Sequence, residues 1–216
     1  MGETEKFKLS DILYAIVIPL ILVILIYVLA VYVNLTGQFH VLGENNVIGV
    51  ILTQGFAQMI VLGVPLVLGL LWNKWAGGAA GFIMGGIYYV ASAGQYNGLY
   101  SSMGVTTYNF FGDISMLFYL VNAVIIGYMA GALNNRSTNF KRMLGAGLTA
   151  ALITAVIQTF MNYTISLEPA RQMAQGVWAD IPYALLINFV PSIALGIIVP
   201  IIGKVMTWYG LQPMRH

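Results

Sequence analysis

The chain has 216 residues, 59% of them hydrophobic and only 7% charged, with nine basic against seven acidic side chains and no cysteine. Soluble domains carry about 25% charged residues, so this composition excludes an ordinary water-soluble domain. A net charge of +2 gives no reason to expect nucleic acid, and the lack of cysteine excludes disulfides, thiol nucleophiles and thiolate metal sites.

The N-terminal segment MGETEKFKLSD is charged and precedes a long apolar run. It lacks the short apolar core and small-residue cleavage site of a signal peptide, so the first run is read as a retained span. Six uncharged runs follow one another: Ile12–Val33, Val47–Trp72, Trp75–Gly94, Ile114–Asn134, Met143–Ile165 and Ile181–Gly203, each of 20 to 26 residues. A helix needs about 20 residues to cross a hydrocarbon core of roughly 30 Å. Every backbone group inside that core must bond within its own helix. The expected fold is therefore all-α: a polytopic membrane protein of six transmembrane helices, forming one domain over residues 1–216.

The basic residues sort by side. Lys6, Lys8, Lys74, Arg136, Lys141, Arg142, Lys204 and Arg215 share one side of a six-span topology, and Arg171 alone lies on the other with Glu44, Asp113, Glu168 and Asp180. The positive-inside rule then places both termini in the cytoplasm and the protein in a cell membrane. Outer connections are long: Asn34–Asn46, Gln95–Asp113 and Ser166–Asp180. Long loops in compact domains are usually functional or disordered.

Small residues recur at four-residue spacing. The third run has Gly77, Gly81 and Gly85; the fourth has Ala123, Gly127 and Gly131; the fifth has Gly147, Ala151 and Ala155. Such stripes let helix backbones approach closely in lipid, either within the chain or against a partner, for which the Gly77–Gly81–Gly85 face is the candidate. Pro19, Pro65, Pro191 and Pro200 lie within runs, where each removes a backbone donor.

Buried-depth polar residues gather toward the outer side. Gln54 and Gln58 are four apart in the second run, Gln158 and Asn162 four apart in the fifth, and Asn188 lies in the outer half of the sixth; Tyr88, Tyr89 and Ser92 lie near the outer end of the third, and Asn122 at mid-depth in the fourth. Residues four apart share a helix face. A buried amide without partners costs on the order of 1–3 kcal/mol, so these groups are expected to meet one another, water or a ligand. A polar cavity toward the outside is the prediction. The outer loops add Phe39, His40, Tyr96, Asn97, Tyr100, Tyr108, Phe110, Phe111 and Trp178, as interface anchors or as rings that stack on a flat ligand. Asp113, Glu168, Arg171 and Asp180 are candidates to pair with charged ligand groups; Asp113 and Asp180 equally precede the fourth and sixth runs as N-caps do.

Catalytic chemistry is missing. The two histidines include the terminal His216, and no carboxylate lies within a run. Zinc, di-iron and carboxylate-protease chemistry therefore lack ligands, and no enzyme activity, metal or cofactor is expected. Pumps and symporters usually keep ionisable residues inside the membrane, and here there are none. Binding remains.

Several stretches resemble the substrate-binding S components of energy-coupling factor (ECF) transporters: the Gly-rich WAGGAAGFIMGG (Trp75–Gly86), IIGYMAGALNNR (Ile125–Arg136), the small-residue MLGAGLTAALITAVIQTFMNY (Met143–Tyr163), and IPYALLINFVPSIALGIIVPII (Ile181–Ile202) with an Asn in its outer half. The resemblance implies six helices, cytoplasmic termini and a vitamin-sized pocket near the outer surface, capped by loops. It also implies a transmembrane coupling subunit and ATPases as partners. Of the family's Ala-x-x-x-Ala docking pattern in the first helix, Ala15 is present and Pro19 stands at the second position. On this reading Gln54, Gln58, Gln158, Asn162 and Asn188 hydrogen-bond the substrate with Asn97, while Tyr88, Tyr96, Tyr100 and Trp178 stack on it or cap it. Ala15 and the Gly77–Gly81–Gly85 stripe dock the partner. The alternative is a non-catalytic structural or accessory subunit of a larger membrane complex, whose amides only bond across helices.

Overall fold

A computed structural model describes residues 56–102, 108–168 and 181–209, with a few isolated positions besides. The first run and the outer part of the second lie outside these residues. Among the described residues the protein is all-helical, with no strand: α1 (Phe56–Leu71), α2 (Lys74–Ser102), a single 3-10 turn (Phe110–Gly112), α3 (Ile114–Asn134), α4 (Phe140–Thr164) and α5 (Ile181–Trp208).

Three of these are long and apolar enough to cross a membrane: Ile114–Asn134, Phe140–Thr164 and the stretch Phe189–Trp208 of α5. At 1.5 Å per residue, the 21 residues of α3 extend about 32 Å. The predicted run Ile114–Asn134 coincides with α3, and the fifth and sixth runs fall within a few residues of α4 and α5. One boundary differs. The expected loop at Gln95–Asp113 begins as eight further residues of α2, which runs to Ser102. The loop was inferred from polarity. Nothing between Gly94 and Ser102 stops a helix: there is no proline, and Gln, Asn and Tyr are tolerated there.

Packing follows the small-residue stripes. Helix α3 lies against α1, α2 and α4, and α5 against α4 and α1. The tightest place is where α1, α2 and α3 meet. A Cβ on Gly69 or Gly77 would collide with the carbonyl oxygen of Gly127, one on Gly81 with that of Ala123, and one on Gly131 would lie 2.5 Å from Lys74 Cα. Backbone therefore rests on backbone along the Gly77–Gly81–Gly85 stripe, whose last member would touch the Leu120 Cα at 2.8 Å. This corrects the docking assignment of Gly77, Gly81 and Gly85: α3 of the same chain covers them. The remaining space is filled by Val61, Leu66 and Leu70 of α1, Met84 of α2, Ile126 of α3, Met143 of α4, and Leu195 and Val199 of α5. Phe82, Val90, Leu117, Val156, Phe160 and Ile198 point outward, so these helices are apolar on their outer faces as well, the pattern of a bundle surrounded by hydrocarbon.

One end is tied by polar groups. Asn134 is fully buried; its Nδ2 donates to the Leu70 carbonyl at 2.7 Å and to Ser137 O at 3.0 Å, joining the end of α1 to the α3–α4 turn. That turn passes through left-handed Asn135 (φ 47) and Arg136 (φ 56). Lys204 Nζ of α5 donates to Thr138 O at 3.2 Å, so Lys74, Arg136, Lys141, Arg142 and Lys204 gather at this end.

Candidate amide site

The opposite end is built on Asp113, which is fully buried. Of the two roles its position suggests, it takes that of the cap of α3, accepting from Ser115 N at 3.0 Å. Its Oδ1 also accepts from Ser115 Oγ at 2.7 Å, and its Oδ2 from Tyr108 OH and from Leu167 N, both at 3.2 Å. Ser166 Oγ pairs with Ser115 Oγ at 2.7 Å. One carboxylate thus joins the segment before α3 to the segment after α4. Of the aromatic residues before α3, Phe110 folds inward while Phe111 stays exposed. Phe110 is fully buried, and Tyr89 of α2 packs on Phe110 and Phe111 at centroid distances of 5.1 and 5.8 Å. Phe110 N donates to Asn97 Oδ1 at 3.4 Å. Asn97, expected to bind substrate, is exposed and holds this turn to α2.

Below this tip lie the amides. Asn122 of α3 donates from Nδ2 to Gln158 Oε1 of α4 at 2.6 Å, and Gln158 Nε2 donates to Asn162 Oδ1 at 2.8 Å. Asn122 is 3% and Gln158 9% exposed, and Asn162 is half-buried. The chain starts at the half-buried residue near the end of α4 and descends to Asn122, eight residues into α3 or about 12 Å along its axis. It stops at a buried atom with no hydrogen-bond partner, Asn122 Oδ1; Thr159 Oγ1 of α4 and, at the basic end, Asn134 Oδ1 are the other such atoms among the described residues. Tyr88 of α2 is partly buried and meets Tyr119 of α3 edge-on, with centroids 5.5 Å apart. Tyr119 precedes Asn122 by three residues, so both lie on one face of α3.

Of the predicted ligand residues, Gln158, Asn162 and Tyr88 belong to this region. Gln54 and Trp178 lie outside the described residues, as do the side chains of Gln58, Tyr96, Tyr100 and Asn188; the proposed docking residue Ala15 lies outside them too. Asn122 was placed by sequence at mid-depth without being assigned to the site. Its signal was that it is an uncharged polar residue deep in a run, where an unmatched amide is costly. Among the described residues, no group of three or more His, Asp or Glu side chains is arranged to hold a metal. No protein-family model matches the chain, and no curated protein or solved structure does either.

Proposed function

We propose that the protein is a membrane-embedded binding subunit that takes up a small, vitamin-like molecule from the Asp113 side of the bundle, with partner ATPase subunits driving its release on the basic side. Both termini lie in the cytoplasm of a cell membrane in this reading, and the bundle completes six spans. The observation that carries it is the buried amide chain ending in an acceptor without a donor. Asn122, Gln158 and Asn162 satisfy one another only in part, and a bound molecule with a polar edge supplies what is missing. The absence of charge within the apolar runs supports binding over ion-coupled transport.

A second reading, an accessory subunit of a larger membrane complex, is favoured by one of the same contacts. Asn122 and Gln158 bond across α3 and α4, and interhelical hydrogen bonds in lipid contribute about 0.6 kcal/mol each without any ligand. The two are separated by purifying the protein in mild detergent, extracting small molecules for mass spectrometry and measuring thermal shifts against a vitamin panel. A retained metabolite, or a rise in Tm at micromolar concentration, is the expected result. Neither, together with stoichiometric copurification of membrane proteins that are not ATPases, would establish the accessory role.

A further inference from the structure

Asn122 is almost fully enclosed, yet only one of its four hydrogen-bonding positions is used. A primary amide carries two N–H donors and an oxygen with two lone pairs. One N–H is spent on Gln158, and the oxygen has no partner. Turning all three amides over together keeps both hydrogen bonds and reverses their direction. Asn122 then accepts once, keeping a lone pair and both N–H groups free. In either setting one donor and one acceptor remain on this side chain, so the conclusion does not depend on the sense of the chain.

We propose that Asn122 determines specificity by pairing with a ligand edge that carries an N–H donor next to an acceptor, as in a lactam, a carboxamide or an amino-substituted nitrogen heterocycle. The proposal rests on the binding reading above and adds which atoms are recognised. A primary amide and such an edge are complementary in the way that Asn pairs bidentately with adenine. In this proposal the edge is carried on a flat ring: Tyr119 shares the Asn122 face of α3 and meets Tyr88 edge-on, and aromatic rings pack offset or edge-on against other rings. The ligand is also neutral at this edge. Among the described residues no charged side chain accompanies Asn122, and the nearest carboxylate along the helix, Asp113, is committed to four donors at the tip. An ionised group brought here would lose its hydration with no counter-charge.

The test uses the full-length protein in lipid nanodiscs and two small probes, 2-pyridone and N-methyl-2-pyridone, which share a ring and a carbonyl and differ in the N–H. Binding is read by saturation-transfer NMR titration on wild type, on Asn122→Leu and on Asn122→Thr, which keeps one hydroxyl. Wild type is expected to bind 2-pyridone about tenfold more tightly than its methylated counterpart, the effect of one buried hydrogen bond. Asn122→Leu is expected to bind both alike, and Asn122→Thr to retain part of the preference. Equal binding of the two probes to wild type, or binding of neither, overturns the proposal without recourse to any variant; so does a preference that persists in Asn122→Leu. A metabolite recovered from the purified protein alongside any of these outcomes leaves the binding subunit standing and removes only the role of Asn122.

Discussion

Asp113 shows how much one side chain organises. Its two oxygens take four hydrogen bonds, two from Ser115 and one each from Tyr108 and Leu167. Asp113→Ala leaves several of these donors buried and unpaired and removes the cap of α3, at an expected cost of about 2–3 kcal/mol. A lower Tm in detergent measures it, and Asp113→Asn, which keeps the cap, is expected to lose less. The capping role was legible because an Asp stood just before an apolar run. The bond to Leu167, 54 residues away, was not, since no local pattern links the two. The amides divide in the same way. Gln158 and Asn162 could be paired from their spacing alone. That Gln158 would turn to Asn122 on another helix depends on how α3 and α4 rotate against each other, and several small-residue faces of both were equally plausible partners.

At the scale of the helices, the four-residue glycine spacing announced close approach without naming the neighbour. The geometry makes the glycines unequal. A methyl on Gly81 would strike the Ala123 carbonyl, whereas one on Gly78 would meet Tyr128 side-chain atoms at an ordinary 3.7 Å and one on Gly145 would meet nothing within 4 Å. Gly81→Ala is therefore expected to destabilise by about 3 kcal/mol, at the upper end of overpacking costs. Gly145→Ala is expected to be neutral or to stabilise by up to ~1 kcal/mol through helix propensity. Unfolding titrations of the two variants in mixed micelles check the contrast. The continuation of α2 to Ser102 was missed because hydropathy marks where a helix leaves an apolar medium, and a helix need not end there.

For the molecule as a whole, charge is sorted by end. Lys74, Arg136, Lys141, Arg142 and Lys204 gather near the α3–α4 turn, and Asp113 and the Arg171–Glu168 ion pair belong to the opposite end. The natural lack of cysteine makes the orientation directly testable with single cysteines. In intact cells, Glu168→Cys is expected to react with a membrane-impermeant maleimide, and Thr138→Cys only after permeabilisation. The reverse pattern would invert the topology and with it the direction of uptake. Side assignment was readable because it needs only the order of charges and runs. The depth and partners of each polar group needed the folded arrangement.

The meeting of Gly69, Gly77, Gly81, Gly127 and Gly131 also bears on ancestry. Where main chain touches main chain, no neighbouring side chain can shift to accommodate a larger residue, so drift is blocked there while lipid-facing positions such as Phe82 and Val156 remain free to change. A distant cousin would thus betray itself by these five glycines held in the same register within an otherwise unrecognisable text.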